Sequence, residues 1–151
     1  MRISRYLSAA LAFAAVSSAA VAKDAVVETH NCLAGPFTTN KNFVGCLAPV
    51  ETAGDRFFDD AKTLGQLTAR LNSSNRAILD KIEATLGNSK RKQFETRFNK
   101  DGFKFFELCL RAQMASGQSK DLVVARCSFD SELWTLHYLF DHHKKVWDSV
   151  K

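Results

Sequence analysis

After Gly54 the 151-residue sequence contains no proline. Nothing beyond that point has its φ locked or its backbone donor removed, so long uninterrupted helices are open to it. Both prolines, Pro36 and Pro49, fall earlier, in a stretch that also holds Gly35, Gly45 and the polar run TTNKN. Short motifs of known chemistry are also missing. There is no C-x-x-C, which excludes a dithiol redox centre and covalent haem attachment of the usual kind. There is no G-x-S-x-G, no H-E-x-x-H and no glycine-rich phosphate loop, so the serine-hydrolase elbow, the zincin helix and nucleotide cradles have no support. Beyond residue 22 no apolar run approaches the roughly 20 residues that a membrane span needs.

What is present begins with an address. Arg2 and Arg5 form a positive start, Leu7 to Ala20 is almost wholly apolar or small, and Ala20-Val21-Ala22 is an A-x-A cleavage site. Residues 1–22 are therefore expected to be a cleaved signal peptide, with Lys23 opening the mature chain. An uncleaved anchor is the alternative, but the stretch is short and diluted by Ser and Ala. Export makes the expected location periplasmic or secreted, in a bacterium. Of the 21 basic residues 19 then remain, against 16 acidic ones, a net charge of +3. So mild a balance does not argue for nucleic acid. The carboxylates Asp59, Asp60, Asp80, Glu83, Glu95 and Glu107 are scattered and read as solvated faces.

The mature chain is expected to be one domain, residues 23–151, in two parts. Residues 23–54 show no period of useful length and read as irregular. From Asp55, a plausible N-cap, Phe57, Ala61, Leu64, Thr68, Leu71, Asn75, Ile78, Ile82 and Leu86 recur every three or four residues. Gly87-Asn88 reads as a left-handed stop. Within the stripe the run Asn72-Ser73-Ser74-Asn75 either bends the helix or places a polar group in its seam. A second helix, capped by Ser89, carries Phe94, Phe98, Gly102, Phe105, Cys109 and Ala112 on one face. There Gly102 would admit a close neighbour. Arg97, Lys100, Lys104 and Arg111 gather roughly opposite, a face that reads as plain solubility. A third helix, capped by Asp121, carries Leu122, Ala125, Phe129, Leu133, Leu136, Phe140 and Trp147. Nothing reads as a strand. The expected fold is all-α: an antiparallel bundle of three long helices over residues 55–151, with an irregular, disulfide-closed N-terminal segment.

Four cysteines in an exported chain read as a disulfide framework, with three possible connectivities. The break between the last two helices centres on Gln118, nine residues after Cys109 and nine before Cys127. At ~1.5 Å rise per residue the two thiols stand level across an antiparallel hairpin. That predicts Cys109–Cys127, leaving Cys32–Cys46 to close the N-terminal segment; a crossed pairing that ties this segment to the bundle is the alternative. His137 and Asp141 share a face at ligand spacing in LHYLFDHHKK, but two ligands do not close a zinc site. A polar helix end is the simpler reading, and neither metal nor cofactor is expected. Phe103 and Phe106 fall off the main stripe of the second helix. They are expected to be covered by the N-terminal segment; the alternative is an exposed patch for a partner.

Several short elements in order resemble the LprI-like lysozyme-inhibitor family: Cys32 and Cys46, LNSSN at Leu71–Asn75, FKFFELC ending at Cys109, SGQS at Ser116–Ser119 and VARC ending at Cys127. The resemblance spans most of the mature chain. It implies a small exported helical protein with four cysteines that inhibits a lysozyme. The expected function is therefore non-enzymatic binding of another protein, either a cell-wall hydrolase or a toxin met by an immunity protein. A small apolar ligand held among Phe94, Phe98, Phe105, Leu133 and Leu136 is the alternative. The loop between the first two cysteines, with Phe37, Asn40, Lys41 and Phe43, is the expected partner-binding element.

Overall fold

The computed structural model describes residue 20, residues 24–33 and residues 43–148, and of residues 143–148 the backbone alone. The leader apart from residue 20, together with Phe37, Asn40 and Lys41, lies outside the described residues. The protein is all-helical: α1 (residues 24–33), α2 (Phe43–Arg56), α3 (Ala61–Thr85), α4 (Asn88–Met114) and α5 (Lys120–Asp148).

The three long helices stand close to where the apolar periodicity puts them. On α3, Leu64, Leu67, Leu71, Asn75, Ile78, Leu79 and Ile82 are buried, which is a single stripe at helical spacing. Its N-cap is Asp60 and not Asp55. The Asp60 carboxylate accepts from the backbone amides of Lys62 at 3.1 Å and Thr63 at 3.0 Å and from the Thr63 hydroxyl at 2.6 Å. Those bonds satisfy amides that the first turn leaves open and hold the Asp60 carboxyl below its ordinary pKa. Gly87 is extended at φ −64°, so no left-handed stop separates α3 from α4. The one positive φ among the described glycines is at Gly117, 72°, in the turn from α4 to α5. There a β-carbon would be strained, and Ser119, not Asp121, receives the first free amides of α5.

The N-terminal segment departs from its irregular reading, because both α1 and α2 are helices. Pro49 lies inside α2 and removes one helical donor, a cost of about 3 kcal/mol in an isolated helix. Tertiary burial outweighs it. Phe43, Cys46, Leu47, Val50, Ala53 and Gly54 all turn into the core, a stripe that the proline and glycines disguise in the sequence. Ala25, Val26 and Leu33 of α1 join the same core. Gly54 is required by contact: a β-carbon there would sit 2.4 Å from the Phe129 ring, so α2 meets α5 only because the side chain is absent.

The long helices do not form an evenly closed bundle. α5 packs along both α3 and α4, while α3 and α4 barely meet. Ring and disulfide contacts run 94 to 138, 98 to 134 and 109 to 127, so α4 and α5 are antiparallel. Of 27 residues in α4 only Phe94 is buried. The helix leans on α5 alone, and a groove opens between it and α3.

Both disulfides follow the pairing that the spacing suggests. Cys32–Cys46 joins α1 to α2 with a Cα separation of 5.4 Å, and Cys109–Cys127 joins α4 to α5 at 5.6 Å. Two formed bridges fit an oxidising compartment. Among the described residues no helix is long and apolar enough to cross a membrane.

Candidate functional site

The groove of about 250 Å³ is floored by α5 through Ser131, Glu132, Trp134 and Thr135. Its α3 wall is Asn72, Asn75, Arg76 and Leu79, and its α4 wall is Phe98, Asn99, Gly102 and Phe103. Gly102 faces the Trp134 ring, and an added β-carbon would lie 3.1 Å from it, so the close approach expected at this glycine occurs.

The polar run of α3 now has a role. The Asn72 amide donates to Glu132 Oε1 at 2.7 Å, and the Asn75 amide donates to Glu132 Oε2 at 2.8 Å and to the Glu132 carbonyl at 3.1 Å. Asn75 is 1 % exposed. A buried amide without partners would cost 1 kcal/mol or more, roughly, so the pair fixes the register of α3 on α5. His30 of α1 neighbours the Asn75 side chain, which brings the first helix close to the α3 wall of the groove.

Burial drives the His30 pKa down from 6.5 to about 4, and the polar Asn75 side chain beside it offsets this only in part. The folded state therefore refuses a proton that the unfolded chain accepts. Stability attributable to this residue is fully present above pH 6.5 and is lost as pH falls toward 4. Urea midpoints measured across that window should fall more steeply for the native chain than for His30→Gln; parallel curves would contradict the assignment.

Aromatic rings line the rest of the α4–α5 seam. Phe98 meets Trp134 at 5.5 Å and Tyr138 at 5.3 Å, Trp134 meets Tyr138 at 5.2 Å, and Phe105 stacks on Trp134 at 6.1 Å. The rings named for an apolar ligand thus contact one another or the tryptophan between them. Phe103 is not covered: it stands 69 % exposed at the mouth of the groove, with Phe106 half-buried beside it. The expected covering by the N-terminal segment does not happen at Phe103, because α1 and α2 are committed to the core around α3 and α5.

Of the residues named for partner binding only Phe43 is described, and it is a core residue. It is 3 % exposed, with its ring 4.6 Å from Phe140 and 4.7 Å from His137. His137 and Asp141 pair at 3.0 Å as neighbours on one helix face. Among the described residues no group of three or more candidate ligands gathers to hold a metal ion.

A second polar centre lies at the turns. Arg126, 3 % exposed, donates to the Phe58 carbonyl at 2.9 Å, to Asp59 at 2.6 Å and to the Gln118 side chain, and its guanidinium covers the Phe58 ring at 3.5 Å. It joins the α2–α3 turn to the α4–α5 turn. No local pattern in the sequence marks the contacts of Glu132, Trp134 and Arg126. The one signal for the first was LNSSN, whose polar positions required a polar partner on a facing helix. No family model, no curated protein and no solved structure matches this chain.

Proposed function

We propose that this is an exported, disulfide-stapled protein of the periplasm or the secreted fraction whose task is to bind another protein. Inhibition of a lysozyme-like cell-wall hydrolase is its most concrete form. One observation carries the reading: an apolar flank of α4 stands open beside the groove. Phe103, Phe106, Leu110 and Met114 recur at three- and four-residue spacing, with Phe103 and Met114 exposed and the others half-buried. An ordered apolar flank of this kind, held by a disulfide at Cys109, is what protein-recognition surfaces present. The order of short elements shared with lysozyme inhibitors adds the partner class.

The test is a lysis assay with a basic lysozyme and the oxidised mature chain. Equimolar protein should suppress lysis, and Phe103→Asp should restore it without changing the circular dichroism spectrum. Undiminished lysis would remove the inhibitor form of the proposal. Failure to retain any protein of the periplasmic or secreted fraction on the immobilised chain would remove protein binding itself.

A further inference from the structure

We propose that the groove between α3 and α4 receives a cationic side chain, lysine or arginine, from a basic partner protein, with the Glu132 carboxylate as its counter-ion. The inference rests on the protein-binding reading and deepens it by naming the chemistry of the contact.

The carboxylate is the starting point. Each Glu132 oxygen accepts one amide N–H, from Asn72 or Asn75, at 2.7 and 2.8 Å. A carboxylate has about four acceptor positions, so both oxygens retain capacity. The asparagines carry no charge, so they aim the group without neutralising it. Among the described residues no lysine or arginine forms an ion pair with it. Arg76, the cation on the rim, is held by Asp80 at 2.9 Å. Among the described residues the groove therefore contains an oriented anion with no cation paired to it.

Its walls suit a cation as well. Phe98, Phe103 and Trp134 line the same space, and an aromatic lining attracts a cation that reaches a ring face. An adjoining recess shares Arg76, Leu79, Phe98 and Asn99 with the groove and adds Glu83 and Glu95. Glu95 is partnered by Arg91 at 3.4 Å. The carboxylates that look scattered along the sequence are thus partly collected here. The chain as a whole is positive, which makes this cleft a local exception and gives a basic partner one place of attraction. An anionic ligand would meet Glu132 directly. A purely apolar one would strip water from an unpaired carboxylate. A groove of about 250 Å³ has room for a side chain.

Trp134 provides the readout. In a Trp147→Phe background it is the one remaining tryptophan of the two in the sequence. A blocked arginine tripeptide should change its fluorescence saturably, with a dissociation constant of about 1 mM or tighter, and added salt should weaken the effect. Glu132→Gln should weaken binding about tenfold, and the exposed Phe103→Ala about threefold. Equal binding of the citrulline counterpart, or no saturable change, overturns the proposal. So does undiminished binding by a folded Glu132→Gln. If that variant does not fold, unchanged affinity in Phe103→Ala is decisive in its place. The two readings separate cleanly. Peptide binding without any protein partner would leave the groove standing and remove the protein-binding function. A partner that binds native and Glu132→Gln chains equally would do the reverse.

Discussion

Replacing Arg126 by alanine should lower the unfolding free energy by about 3 kcal/mol, measured by urea denaturation at neutral pH. Three losses combine. The Phe58 carbonyl loses its 2.9 Å donor, the ring of Phe58 loses the cation above it at 3.5 Å, and a side chain that is 3 % exposed leaves a cavity. The ion pair with Asp59 contributes least, because the Asp59 side chain is 91 % exposed and remains in water when its partner goes. Asp59→Ala should accordingly cost only about 1 kcal/mol. That asymmetry is the measurable point. Two variants of equal cost would mean that the ion pair, and not the carbonyl and the packing, holds the two turns together. Arg126→Lys should recover little, since an ammonium cannot serve Phe58, Asp59 and Gln118 with one planar fork.

Removing Cys109 and Cys127 together, as the double alanine variant, should cost about 3 kcal/mol, the chain-entropy value for a loop of this size. The bridged residues are 18 apart in sequence. The damage should also be uneven. α4 has one buried residue and rests on α5 alone, whereas α3 buries seven and packs broadly against α5. Amide exchange should therefore accelerate in α4 near residues 103–114 well before it does so in α3. Uniform acceleration across both helices would show that the bridge stabilises the chain as a whole and not α4 in particular. Because the exposed flank proposed for partner binding lies on this part of α4, the same variant should bind its partner less tightly even under conditions where it is fully folded.

Much of this molecule is legible from residue order. The absence of proline after Gly54 and the stripe from Leu64 to Ile82 specify α3, since helical periodicity is a local property that burial only confirms. The spacing of Cys109 and Cys127 about Gln118 specifies their bond, since an antiparallel hairpin makes distance along the chain equivalent to height along the axis. The helices of the N-terminal segment were not legible. Pro49 and Gly54 both argue against helix locally, and α2 forms because the rest of the protein buries Val50 and Ala53 and offers the Phe129 ring to the bare Gly54 backbone. Periodicity marked the faces of α3, α4 and α5 but not which pairs would touch.

The sequence by itself therefore determined an all-helical chain, three long helices with their inward faces, and cysteines placed to bond in register. These follow from propensity, period and rise, which neighbours along the chain settle among themselves. Only the tertiary structure decided that α5 lies between α3 and α4, that α4 is left half-open with Phe103 exposed, and that Glu132 stands beneath two asparagines with no cation paired to it among the described residues. Contacts such as Asn75 with Glu132 join residues 57 apart in sequence. Their partners are chosen by the packing of whole helices, and no local pattern carries that information.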